Sequence, residues 1–309
     1  MSSVVLVTGA AGFAGSHLVD RLRDTGATVT GWYRPGGTAP HGATGIAWEA
    51  IDLLDRGAVR AAIARLRPSA VYHCAGAAHV GRSWANAEPT FAVNVRGTHH
   101  LLDALGAEGV ASRVLVPGSA MVYASSDEPL DEDHRLMPAS PYALSKLAQE
   151  MLAQHDTGGV EVMVARAFNH FGPRQDPWFV ASGFARRIAD VEKGRWEPEI
   201  AVGNLDARRD LTDVRDMVRA YQLILERGRP SRAYNVCSGR AVAIRDLLDR
   251  LLARARVPIA VRVDPARYRP NDVPIVVGDP GRIHRELGWT AAIPLEQTLD
   301  DLLEYWRAQ

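Results

Sequence analysis

The chain has 309 residues, with 36 lysines and arginines against 36 aspartates and glutamates, so its formal charge is zero. Hydrophobic residues make up 47% and charged residues 23%, the composition of a folded globular protein and not of a disordered one. A nucleic-acid binder would carry a basic excess, so that class is disfavoured. The two cysteines, Cys74 and Cys237, are far apart and form no pattern, which suggests neither a disulfide framework nor a zinc site; no metal is expected. No apolar run approaches the length of a membrane span, and the opening Met1–Val7 lacks the positive leader of a signal peptide. The expectation is a soluble, cytoplasmic protein.

In chain order, short β-rich runs alternate with longer helical patterns, the signature of βαβ units and a parallel sheet. Strands are expected over residues 4–8, 27–33, 70–74, 113–117 and 160–166, each a nearly continuous apolar run suited to burial on both faces. Helices are expected over 14–23, 56–66, 89–105 and 141–155. Residues 36–44, rich in Gly, Pro and Thr, read as a loop. Beyond Phe171 the alternation weakens: helices over 178–191 and 211–225, a strand over 233–236, a helix over 244–254, a strand over 260–263 and an arginine-rich loop over 267–269. The last third is expected to divide between the main sheet and a smaller lobe.

The first strand runs into Gly9-Ala10-Ala11-Gly12-Phe13-Ala14-Gly15 and then a helix. Gly9 suits a tight turn, Gly12 a close approach to pyrophosphate, and Gly15 close packing of helix on sheet. The helix start presents free N–H groups to phosphate. This strand–turn–helix setting points to dinucleotide binding, with a plain tight turn as the alternative. The second strand ends Trp32-Tyr33-Arg34, without the acid that would bind the ribose hydroxyl of NAD. Arg34 could pair with a 2′-phosphate, so NADPH is favoured, with NADH as the alternative.

Further on, Ser140-Pro141 reads as an N-cap and first helical residue. Tyr142 and Lys146 follow at a spacing that puts both on one helix face. A free tyrosine has a pKa of about 10, and a nearby cation would lower it. Upstream, Ser119 follows the carboxyl end of the predicted strand over 113–117, where α/β sheets bind ligands, and could hydrogen-bond a substrate oxygen while Tyr142 exchanges a proton. Taken alone, Ser119 is an ordinary turn serine and Tyr-x-x-x-Lys a common surface pattern.

Together these motifs resemble the extended short-chain dehydrogenase/reductase family of nucleotide-sugar epimerases, dehydratases and reductases. The resemblance implies a Rossmann-type doubly wound parallel sheet with a smaller C-terminal α+β substrate lobe. It divides the chain into residues 1–171 and 212–240 for the cofactor domain, and 172–211 and 241–309 for the nucleotide-sugar lobe. Cofactor contacts are implied at Gly9, Gly12, Phe13, Ala14, Gly15, Arg34, Asp52, Leu53, Cys74, Ala75, Ala77, Asn94, Tyr142, Lys146 and Phe168. Substrate contacts are implied at Ser119, Asn169, Val180, Arg209, Arg269 and Asp272, the two arginines facing a diphosphate and Asp272 a ribose hydroxyl. The catalytic set is Ser119, Tyr142 and Lys146. The helices over 89–105 and 141–155 resemble the family's dimer bundle, which implies a homodimer.

Gly203–Asp210 and Arg269–Val273 are similar to the nucleotide-clamping motifs of the GDP-mannose dehydratases and their partner reductases, which implies a GDP-linked substrate. Dehydratases of the family carry a glutamate two residues after the active-site serine or threonine. Here that residue is Met121, which transfers no proton. The expectation is therefore reduction of a 4-keto-6-deoxy sugar. A 4-epimerase, a dehydratase, a reductase on a dTDP- or CDP-linked sugar, a small-aldehyde reductase and a non-catalytic NADP sensor are the alternatives.

Overall fold

A computed structural model describes residues 4–38, 45–155, 158–268 and 273–309. The first six strands are β1 (Val4–Thr8), β2 (Thr28–Tyr33), β3 (Ile46–Ala50), β4 (Ala70–His73), β5 (Arg113–Pro117) and β6 (Glu161–Ala167). They pair in parallel in the order β6-β5-β4-β1-β2-β3. The direction of strand addition therefore reverses between β1 and β4. In such sheets this reversal opens a crevice at the carboxyl ends of the two strands.

Between the strands lie α1 (Phe13–Arg23), α2 (Arg56–Leu66), α3 (Val80–Ala85), α4 (Glu88–Phe91), α5 (Thr98–Ala107) and α6 (Pro141–Ala153). The helix expected over 89–105 is helical throughout but not α-helical throughout. It runs from α4 through a π-helical turn, Ala92–Gly97, into α5. β3 was not legible as a strand: it is an edge strand, half-exposed along its length, and so carries no long apolar run.

The second half adds β7 (Asn169–Phe171), α7 (Val180–Glu192), β8 (Glu199–Val202), β9 (Arg208–Asp213), α8 (Val214–Arg227) and β10 (Ala233–Val236). Then come β11 (Ala241–Ala243), α9 (Ile244–Leu252), β12 (Ala260–Val263), β13 (Ile275–Val276), α10 (Gly281–Leu287) and α11 (Leu295–Ala308). β10 joins the main sheet beside β6 as a seventh parallel strand. β9 gathers β7, β11 and β13 into a small mixed sheet, and β8 pairs with β12. The helix expected over 211–225 starts only at Val214. Residues 208–213 form β9, and the Asp213 carboxylate caps α8 by accepting from the Arg215 N–H at 2.7 Å.

Apolar side chains cover both faces of the main sheet. Leu18 and Leu22 of α1 and Tyr221 and Ile224 of α8 pack on one face; Val59 and Ile63 of α2 and Leu101 and Leu105 of α5 pack on the other. A separate cluster joins Phe184 and Ile188 of α7, Leu247 and Leu251 of α9, and Leu299 and Leu302 of α11. Ile283, Leu287 and Trp289, far along the chain, return to the main-sheet cluster.

Under α6 lies a buried ionic network. Arg166 of β6 and Glu150 of α6 are joined at 2.6 Å, with side chains only 6% and 3% exposed. Arg166 also donates to the Tyr123 hydroxyl and the Glu132 carbonyl, both at 2.9 Å. The Tyr123 hydroxyl donates onward to Asn235 Oδ1 at 2.6 Å. Removing one partner of a buried pair strands the other charge. Arg166→Met is expected to lower the unfolding free energy by about 3 kcal/mol or more, read by urea denaturation. A loss below about 1 kcal/mol would place this pair with weak surface bridges.

Candidate active site

The crevice between β1 and β4 is floored by the glycine loop. Gly9 has φ +65°, and a Cβ there would lie 2.6 Å from the Ala75 backbone. A Cβ on Gly15 would lie 2.2 Å from the Gly9 carbonyl oxygen. These contacts need glycine for the tight turn and for the close approach of helix to loop. Gly12 is the N-cap of α1 and offers no side chain to its first turn. The uncapped N–H groups there suit a pyrophosphate. Phe13 and Ala14 form that first turn. The Phe13 ring stacks on His170 with centroids 5.7 Å apart and meets His17 edge-on.

Across the crevice, the segment after β4 is tied down by Asn94, in the π-helical turn. Asn94 Oδ1 accepts from the Ala77 N–H at 2.8 Å, and Nδ2 donates to the Ala77 carbonyl and to Ser145 Oγ at 2.9 Å. The Ser145 hydroxyl donates to the Tyr142 carbonyl at 2.7 Å. One side chain thus joins the loop beside the crevice to the first turns of α6.

Helix α6 begins as its sequence predicts. The Ser140 hydroxyl accepts from the Ala143 N–H at 3.1 Å, and Pro141 occupies the first turn. Burial pushes the Tyr142 phenol upward in pKa, against the opposite influence of the neighbouring Ser119 hydroxyl. The phenol therefore stays protonated at neutral pH, the form needed to donate. The upward shift differs from the expectation that Lys146 lowers this pKa. Ser119 Oγ also accepts from the Met121 N–H at 3.2 Å, in a short 3₁₀ turn, Ala120–Val122.

Lys146 is 8% exposed. Its ammonium donates to the Pro117 carbonyl at 2.6 Å and to Gln149 Oε1. Burial lowers its pKa to about 8, while Cys74 and Glu150 act in the opposite sense. Cys74 is a free thiol pushed up to about 12 by burial. The structure thus brings Ser119, Tyr142 and Lys146 together at the carboxyl end of β5, beside the glycine loop.

The remaining expected residues are more scattered. Arg34 is exposed at the end of β2, beside the left-handed Gly36. Asp52 Oδ1 accepts from the Leu54 N–H at 2.9 Å, and the Leu53 side chain packs in the core. The Phe168 ring is 2% exposed and sits in a core cluster with Tyr123 and Cys237, while its N–H donates to the Val236 carbonyl and its carbonyl accepts from His170 Nδ1, both at 3.0 Å. Asn169 is exposed on β7, and Val180 is 42% exposed at the start of α7. Arg209 on β9 donates to the Val273 carbonyl at 2.8 Å. Arg269 and Asp272 lie outside the described residues, as do residues 39–44 of the expected loop.

A family model described as GDP-mannose 4,6 dehydratase matches residues 6–302. The chain belongs to that family. It is 36% identical over 314 residues to the GDP-6-deoxy-D-mannose reductase of Pseudomonas aeruginosa, covering 100% of this chain and 99% of the other. It is 31% identical over 344 residues to the UDP-glucose 4-epimerase of Pongo abelii, covering 100% and 97%. The solved structure of RMD from Pseudomonas aeruginosa, complexed with NADPH, matches with a TM-score of 0.86 at 33% identity, covering 99% of both chains. The sheet described above is the Rossmann-type sheet of this group of nicotinamide-dependent enzymes.

The Lys146 proton carries a pH consequence. Its pKa of about 8 in the free protein means the ammonium persists below that pH and is lost above it. kcat/KM for NADPH reports groups of the free enzyme, so it is expected to hold steady below pH 8 and fall above it. A flat profile to pH 10 would remove Lys146 as a working ammonium.

Proposed function

We propose that this chain is an NADPH-dependent reductase of the 4-keto group of a nucleotide-activated 6-deoxy sugar. Its proposed substrate is GDP-4-keto-6-deoxy-D-mannose, and its product GDP-6-deoxy-mannose or the C4 epimer. The observation that carries this reading is Met121. It holds the position where the family's dehydratases have their glutamate, its N–H donating to the Ser119 hydroxyl that neighbours Tyr142. The site keeps a hydroxyl, a phenol and an ammonium but lacks that further acid–base group, which suits proton delivery to a ketone and not loss of water.

When bound, NADPH supplies the hydride that adds to C4. This chain's residues do the rest. The Tyr142 phenol gives its proton to the C4 oxygen as negative charge develops there. The Ser119 hydroxyl hydrogen-bonds the same oxygen and holds it in line with the phenol. The Lys146 ammonium stabilises the phenolate left behind. Arg209 is assigned to the substrate diphosphate, with Arg269 beside it and Asp272 on a ribose hydroxyl, because guanidinium forks match paired phosphate oxygens. Arg34 is assigned to the 2′-phosphate of the cofactor.

Two finer assignments accompany this reading. Leu144 and Met151 of α6 are 49% and 65% exposed, next to a surface hollow lined by Phe91, Val95 and Leu152. Such an apolar face suits pairing with a second copy of the chain in a homodimer. The cysteines are free thiols, which fits the reducing cytoplasm where NADPH is consumed.

The test follows NADPH absorbance. Consumption is expected with GDP-4-keto-6-deoxymannose and not with its dTDP analogue. Tyr142→Phe should cut turnover by a factor on the order of 100 or more and still bind NADPH. Undiminished activity in that variant would remove the proposed proton donor. An epimerase would leave the absorbance unchanged while altering the sugar.

A further inference from the structure

Behind the catalytic ammonium lies a chain of buried, uncharged groups drawn from four elements. Gln149, Thr98 and Thr8 are fully buried, and His73 is 1% exposed. Lys146 donates to Gln149 Oε1, and Gln149 Nε2 donates to Thr98 Oγ1 at 2.8 Å. The Thr98 hydroxyl donates to the Asn94 carbonyl at 2.6 Å. His73 Nε2 lies 2.9 Å from Thr98 Oγ1, and His73 Nδ1 lies 2.8 Å from Thr8 Oγ1. Thr8 Oγ1 accepts from the Ala75 N–H at 3.3 Å.

The protons in this chain can be assigned one by one. A carbonyl only accepts, so the Asn94 oxygen takes the single Thr98 hydroxyl proton. Thr98 Oγ1 must then accept from both Gln149 and His73, which puts the imidazole proton on Nε2. With Nδ1 unprotonated, the Thr8 hydroxyl donates to it. An ammonium only donates, so the Gln149 amide can point only its oxygen at Lys146. Two of the three ammonium protons are held by Pro117 and Gln149, and the third is left for the crevice.

We propose that Gln149 is a positioning residue for the reaction: it fixes the Lys146 ammonium through the buried chain Gln149–Thr98–His73–Thr8, which ends on the Ala75 N–H against the glycine loop. The proposal rests on the reading of this chain as a reductase that uses Lys146 as an ammonium. The titratable groups acting on Lys146 are Cys74 and His73 from the β4 end and Glu150 from its own helix. Burial and the nearby ammonium lower the His73 pKa to about 3, so the link stays neutral across the working range.

The test uses the full chain in two arms. In the first, kcat/KM for NADPH is followed against pH. Gln149→Leu removes the acceptor and should move the basic limb down by about one pH unit, the size of one hydrogen bond to a charged group. At pH 6.5, where Lys146 keeps its proton, the variant should stay within about threefold of the parent by the same reasoning. Gln149→Glu, of nearly the same shape, should move the limb upward. An unmoved limb in both variants, or an equal loss at every pH, would overturn the proposal. If Gln149→Leu does not fold, the Glu variant still decides.

The second arm needs no cofactor. Long-range ¹⁵N NMR of the free protein should show His73 neutral, with its proton on Nε2, from pH 5 to 8. Titration in that range, or a proton on Nδ1, would break the chain whatever the activity. Absence of ketone reduction with an intact His73 signature would instead count against the reductase reading alone.

Discussion

A primary ammonium sealed beneath the carboxyl edge of a parallel sheet must be solvated by protein acceptors, or it loses its proton. Lys146 meets this constraint with the Pro117 carbonyl and Gln149 Oε1. Pro117 ends β5, two residues before Ser119, so satisfying the lysine also fixes how α6 is turned against the sheet. One helical turn earlier, Tyr142 then meets Ser119. The Arg166–Glu150 pair sits one turn later and anchors the same helix to β6. The position of the phenol follows from how two buried charges on one helix are accommodated.

The cofactor side obeys a matching steric constraint. Gly9 and Gly15 are close-packed against backbone that a side chain would overlap, and Asn94 locks the opposite wall to α6 through Ala77 and Ser145. The crevice between β1 and β4 is therefore bounded by groups whose mutual positions are set before any ligand enters. Such preorganisation places donors where charge will develop.

Features encoded over a few neighbouring residues were legible in the sequence. The glycine spacing after β1, the Ser140-Pro141 start of α6 and the four-residue offset of Tyr142 and Lys146 all depend on local geometry alone. β3 was missed because a half-exposed edge strand has no distinctive apolar run, and β9 because Arg208-Arg209-Asp210 breaks any apolar alternation. The buried chain from Gln149 to Thr8 left no local signal. Its members come from β1, β4, α5 and α6 and meet only once those elements are stacked. The π-helical turn holding Asn94 was hidden for a related reason: its apolar pattern differs little from that of an ordinary helix. Resemblance to a family supplied Asn94, Arg209 and the meaning of Met121, none of which periodicity could provide.

The central claim is that hydride reaches C4 of the sugar while Tyr142 protonates the adjacent oxygen. It is tested most directly by isotope transfer, with NADPH deuterated at the reactive C4 position of its nicotinamide and GDP-4-keto-6-deoxymannose as acceptor. The account predicts one deuterium at sugar C4 for each NADPH oxidised, with none at C3 or C5. Deuterium at another carbon, or product formed without label from the cofactor, would contradict it.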